Sequence, residues 1–148
     1  MRQHRVREVE AAVEIDLDHA AKIGAAGVDV VARRGGRTGS VVVLVQPDGE
    51  RTMFPDRGCS PDLTEVNGSV LDGVTALHVP MYSLTNGLLA DTATRLIAEA
   101  HIRNIVVSID ASSVSVLENF GVTESLALID RLTPSVLLCN DDEARVLG

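Results

Sequence analysis

Three short aliphatic runs, each followed by a helical pattern, constrain the fold of this chain more than any other feature. The runs are Val74 to Pro80, Ile105 to Ile109 and Val136 to Cys139, and their branched aliphatic residues predict strands. Between them, Leu84 to His101 and Val114 to Leu132 carry apolar residues at helical spacing. The sequence therefore predicts a strand-helix-strand-helix-strand unit.

This alternation predicts an α/β fold. Crossovers between parallel strands are right-handed, and the strands lie side by side in a sheet that helices cover. Apolar residues make up 45% of the chain but aromatic residues only 2%, so the core must be aliphatic. Such a core is typical of buried parallel strands. The second helix should break near Gly121, and a last helix should begin near Asn140.

The parallel arrangement brings three polar segments to one edge of the sheet. The segments follow the three strands and are Met81-Tyr82-Ser83, Asp110-Ala111-Ser112 and Asn140-Asp141-Asp142-Glu143. Open α/β sheets bind ligands at the carboxyl ends of their strands. Each segment also precedes a helix, whose free N–H groups favour anions. We therefore expect the ligand site at this edge.

Asn140 and Glu143 admit two interpretations. Asn140 can cap the last helix while Glu143, three residues later, reaches back in a capping box. Alternatively, the two side chains face the ligand and hold a hydrated Mg²⁺ beside a phosphate, since Mg²⁺ commonly keeps several waters and uses one or two carboxylates. Both interpretations can hold together.

Asp110 and Tyr82 leave similar alternatives open. Asp110 ends a strand and either caps the next helix or contacts the ligand. Tyr82 is the only tyrosine, and it is either a half-buried ring with its hydroxyl in water or a substrate contact. We carry both residues forward as candidate substrate-binding residues.

A β-hairpin precedes the α/β unit. Val41 to Val45 is β-branched, Gln46-Pro47-Asp48-Gly49 is a turn sequence, and Glu50 to Phe54 predicts the returning strand. The next stretch, Pro55 to Gly73, is rich in loop-forming residues, with at most one short helical turn. Residues 1–23 are polar and helical in pattern.

Charge and cysteine content exclude several classes of protein. The net charge of −8 argues against a nucleic-acid binder, which needs a basic face. No apolar run approaches the roughly 20 residues that span a bilayer. Cys59 and Cys139 have no metal-binding spacing and are too few for a disulfide scaffold. Without a signal-peptide pattern at the N-terminus, we expect a cytoplasmic protein that binds neither membrane nor nucleic acid.

Two glycine-rich stretches do not predict a phosphate-binding loop. Gly35 to Gly39 lacks the Gly-Lys-Ser/Thr sequence and precedes a strand, so we interpret it as a turn. Gly24 to Asp29 lies at a helix end, where its glycines are caps. His78 lies within a strand and is more simply a satisfied core or lid residue than a ligand.

The order of these segments resembles the PfkB/ribokinase family of carbohydrate kinases over roughly residues 24–148. Four stretches carry the resemblance: RTGSVVVLVQPDGERTMF (37–54), VTALHVPMYSLT (74–85), IVVSIDASS (105–113) and LLCNDDEARVLG (137–148). The resemblance implies a ribokinase-like three-layer αβα fold in a single partial domain. A lid hairpin would span residues 38–55, a βαβαβα core residues 74–148, and a divergent helix residues 1–23.

The same resemblance implies a function. Mg²⁺ and ATP would be the cofactors, and the γ-phosphoryl group would pass to a hydroxyl of a small-molecule sugar, with catalysis mostly by positioning and charge stabilisation. Asn140 and Glu143 would match the metal and phosphate motif, with Glu143 contacting Mg²⁺ through water. Val41 and Val43 would occupy lid positions over the sugar, on one face of their strand. Tyr82 and Asp110 would face the substrate.

The sequence also departs from the family pattern. It contains neither the Gly-Gly sugar-binding turn nor the Gly-Ala-Gly-Asp turn that carries the general base, and Met81-Tyr82 stands where Gly-Tyr is usual. We therefore expect a truncated kinase with no catalytic residue of its own, most of the ATP site missing, and little activity alone. The alternatives are a non-catalytic, kinase-derived module that binds a sugar or forms a homodimer through the hairpin, and an unrelated α/β domain.

Overall fold

The computed structural model describes residues 36–64 and 66–148. The chain divides into two compact units, Met1–Ser60 and Pro61–Gly148, and each is described by itself. The helix predicted within residues 1–23 lies outside the described residues.

The predicted hairpin forms the described part of the first unit. Strand β1 (Ser40–Val45) pairs antiparallel with β2 (Arg51–Asp56), and Val43 lies opposite Met53. In the turn, the Gly49 N–H donates to the carbonyl of Gln46 at 3.0 Å, and Gly49 takes a φ of 93°, which glycine adopts at little cost. The prediction is confirmed, although β2 extends two residues beyond Phe54.

Asp56 closes the base of this hairpin. Its Oδ1 accepts a hydrogen bond from the Gly58 N–H at 3.0 Å, and its Oδ2 pairs with the Arg37 guanidinium. The Gly58 N–H, followed by Arg37, lowers the pKa of the Asp56 carboxyl below its ordinary value of 3.8. This exposed ion pair links the end of β2 to Arg37, in the stretch that was predicted to turn.

The second unit contains the predicted parallel sheet. Its strands are β3 (Ala76–Pro80), β4 (Val106–Asp110) and β5 (Val136–Leu138), with β4 in the centre. Both pairings are parallel, and Ile109 lies between Val79 and Leu137. The three strands form where the aliphatic runs predicted them, within two residues at each end.

Four helices occur in the described part of this unit: α1 (Gly87–Ile102), α2 (Val114–Phe120), α3 (Val122–Leu132) and α4 (Asp141–Leu147). The break at Gly121 is confirmed. Helix α1 begins three residues later than predicted, because Asn86 is extended and Gly87 has a φ of 75°. Leu84 is nevertheless buried, in the loop before the helix. Among the described residues, no helix is both long enough and apolar enough to cross a membrane.

The predicted loop from Pro55 to Gly73 contains two short 3-10 turns where one helical turn was expected, and another follows β3 ahead of the predicted helix. They lie at Ser60–Asp62, Gly68–Leu71 and Met81–Ser83. Side chains of α1 hold the loop that joins the first two of these turns. Thr92 donates a hydrogen bond to the Leu63 carbonyl and Arg95 donates one to the Val66 carbonyl, both at 2.9 Å.

One face of the sheet forms the core with the helices. The register places Leu77 beside Val107 and Val79 beside Ile109, and Val107 and Ile109 are fully buried. Helix α1 contacts β3, β4 and α3, and α4 contacts α2 and α3. The helices contribute further buried aliphatic side chains, chiefly Ile97, Ala100, Leu117, Leu128 and Leu132.

Strand β5 is more exposed than its sequence predicts. A buried strand was expected, yet Val136, Leu137 and Leu138 are 43%, 38% and 48% exposed. The reason is its position: β5 is the edge strand of the described sheet and pairs only with β4. Apolar composition alone does not distinguish a central strand from an edge strand.

Candidate functional site

The carboxyl ends of all three strands lie at one edge of the sheet. The parallel register places Pro80, Asp110 and Leu138 in the same row across the strands. The row continues past the strands, since the Ala111 N–H donates to the Leu138 carbonyl at 2.9 Å. The segments that carry Tyr82, Asp110 and Asn140 therefore leave the sheet from the edge that the sequence predicted.

Tyr82 lies in the 3-10 turn that follows β3. Its neighbour Met81 is fully buried and anchors the turn in the core, whereas Tyr82 is 43% exposed. The Thr85 hydroxyl donates to the Tyr82 carbonyl at 3.5 Å and closes the turn. The burial of Met81 thus directs the next side chain outward at the edge of the sheet.

Asp110 organises the segment after β4 without capping the helix. Its Oδ1 accepts a hydrogen bond from the Ser112 N–H at 2.8 Å, which forms a tight side-chain turn. Ser112 has a φ of 72°, an uncommon value that this turn supports. The N-cap of α2 is Ser113, whose hydroxyl accepts from the Val116 N–H. The interpretation of Asp110 as the cap is therefore wrong, and its second oxygen has no hydrogen bond within this turn.

Asn140 and Glu143 form a complete capping box at the start of α4. Asn140 Oδ1 accepts from the N–H groups of Asp142 and Glu143 at 3.0 and 2.9 Å. In return, Glu143 Oε2 accepts from the Asn140 N–H, and Glu143 Oε1 accepts from Asn140 Nδ2, both at 2.9 Å. Glu143 is only 4% exposed. The capping interpretation of this motif is confirmed.

The chemistry of this turn fits a water-mediated contact to Mg²⁺. Glu143 is a carboxylate, and Mg²⁺ prefers oxygen ligands and retains water. Asp141 and Asp142 beside it are exposed, and Asp142 pairs with Arg145. Within residues 36–64 and 66–148, no three His, Cys, Asp or Glu side chains lie close enough together to hold a metal ion directly. A contact between Glu143 and Mg²⁺ through water stays a prediction.

Val41 and Val43 belong to the hairpin of the first unit. Both lie on the same face of β1, as alternation predicts, and Val43 faces Met53 across the strands. Val41 is 47% exposed and Val43 is half-buried. Their assignment to a lid over a sugar stays a prediction.

Two polar residues at this sheet were not predicted as functional. His78 Nδ1 and the Ser108 hydroxyl form a 2.9 Å hydrogen bond between β3 and β4, on the face opposite the core. His78 is therefore satisfied, as the sequence suggested, but it is exposed rather than in the core. Ser108 lies in the stretch that carries the family resemblance, but only the strand register reveals its partner His78.

The comparisons with known structures define the class of fold. The chain has the ribokinase-like α/β fold, with the parallel sheet of the second unit and the β-hairpin of the first both present. This confirms the fold that the resemblance implied. The sequence matches no protein-family model, and a search of curated proteins finds no match.

Solved structures that share this fold include two kinases. The first is the adenosine kinase of Sinorhizobium meliloti, with a TM-score of 0.79, 21% sequence identity and coverage of 93% of this chain and 43% of that protein. The second is a PfkB family carbohydrate kinase of Listeria grayi, with a TM-score of 0.68, 18% identity and coverage of 92% and 45%. The chain therefore spans less than half the length of either kinase.

Proposed function

We propose that this chain is a portion of an ATP-dependent carbohydrate kinase of the PfkB type, located in the cytoplasm. The complete enzyme would transfer a phosphoryl group from Mg-ATP to a sugar hydroxyl. The observation that carries the proposal is the shared edge of the sheet, where Tyr82, Asp110 and Asn140 follow the three parallel strands. That edge occurs in a fold shared with two kinases, one of which is named as a carbohydrate kinase.

The residues of this edge have distinct proposed roles. The exposed ring of Tyr82 packs against the sugar, and the Asp110 oxygen that the Ser112 N–H does not use accepts a hydrogen bond from a sugar hydroxyl. Asn140 and Glu143 lie beside the metal and the phosphate. Bound Mg²⁺ would supply positive charge that offsets the charge on the transferring phosphoryl group.

Sugar binding tests this proposal directly. We expect a binding sugar from a panel that includes free pentoses, hexoses and nucleosides to shift the backbone amide NMR signals of Met81 to Ser83 and Ala111 to Ser113. Signals at the opposite end of the sheet, such as Asn104, should stay unchanged. Asp110→Asn keeps an oxygen for the Ser112 N–H but removes the charge, so it should weaken binding about tenfold without altering the fold.

A shift pattern centred on the amino end of the strands, or no shift with any sugar, would contradict the proposed site.

A phosphoryl-transfer assay is a second test of the proposed function. The 148 residues contain no Gly-Ala-Gly-Asp turn to supply a base, so we expect no detectable phosphoryl transfer by this chain alone. ATP-dependent phosphorylation of a sugar by the purified chain, abolished by Glu143→Ala, would contradict this expectation.

A second candidate function is homodimerisation through the hairpin, without catalysis. Apolar side chains are exposed on both faces of the two-stranded sheet: Val45 is 66% exposed, Val42 and Phe54 are 56% exposed, and Met53 is 55% exposed. A two-stranded sheet is marginal alone, and exposed apolar patches commonly mark interfaces. We therefore propose a second copy of the chain as the partner of this hairpin.

Light scattering after size exclusion tests the dimer. We expect the wild type to have the mass of a dimer at high concentration, and Val43→Lys, which places a charge between the strands' apolar side chains, to have the mass of a monomer. Gln46→Lys in the exposed turn adds the same charge and should remain dimeric. A wild type that stays monomeric at every concentration would exclude this function.

A further inference from the structure

We draw no further inference here: the strongest candidate, the apolar surface that edge strand β5 forms with Val106 on the sheet face opposite the core, carries nothing, because nothing in the described part of the chain shows what covers it.

Discussion

Replacing Ile109 with alanine is expected to lower the free energy of unfolding of the second unit by about 2–5 kcal/mol. Ile109 is fully buried in the central strand and lies between Val79 and Leu137. Removing its side chain leaves a cavity on the face where α1 covers the sheet, among tightly packed aliphatic side chains. Urea unfolding followed by circular dichroism measures the change.

Val106 provides the matched control in the same strand. It is 46% exposed and points to the face opposite the core, so Val106→Ala removes a branched side chain without creating a cavity. Its cost should stay below about 1 kcal/mol. If both substitutions lowered the free energy of unfolding equally, the two faces of β4 would not differ in burial. The assignment of the core to one face would then be wrong.

Gly121→Ala is the second substitution with a large expected effect, about 1–3 kcal/mol of destabilisation. Gly121 ends α2 and begins α3 with a φ of 103° and a ψ of 128°, a conformation that is essentially restricted to glycine. A Cβ at this position would also collide with the Glu124 carboxylate, which would have to move. The break between the two helices therefore depends on this residue.

Gly73→Ala separates backbone conformation from crowding. Gly73 has a φ of 73°, in the ordinary left-handed region, and a Cβ there would meet no atom within 4 Å. Its cost should be about 1 kcal/mol. Thermal unfolding monitored at 222 nm compares the two variants, and a Gly121→Ala protein as stable as Gly73→Ala would show that the helix break does not require glycine.

The strands, the hairpin and the helix break were predictable because each has a local signal. The aliphatic runs predicted β3, β4 and β5, and a turn sequence of Pro, Asp and Gly predicted the hairpin. The exposure of β5 was not predictable, since a strand's composition carries no information about how many strands lie beside it. The start of α1 at Gly87 was missed because apolar spacing extends through Leu84, which is buried in a loop.

The sequence predicted the location of the candidate site better than it predicted the contacts within the site. Parallel topology alone brings the segments after β3, β4 and β5 to one edge, and spacing alone predicted the capping box. The predicted helix start at Val114 already made Ser113 the N-cap position, whereas the hydrogen bond from the Ser112 N–H to Asp110 could not be predicted, since it depends on the local backbone turn. Likewise, Asn140-x-x-Glu143 does not reveal that both glutamate oxygens are engaged within the turn.

The central claim is that Tyr82, Asp110 and Asn140 leave a parallel sheet from one edge. The most direct test is the NMR scalar coupling across the hydrogen bond from the Ala111 N–H to the Leu138 carbonyl, which exists only if β4 and β5 end side by side. The structure predicts a measurable coupling and a slowly exchanging Ala111 amide. An uncoupled, rapidly exchanging Ala111 amide would show that the strand ends lie apart and would contradict the shared site.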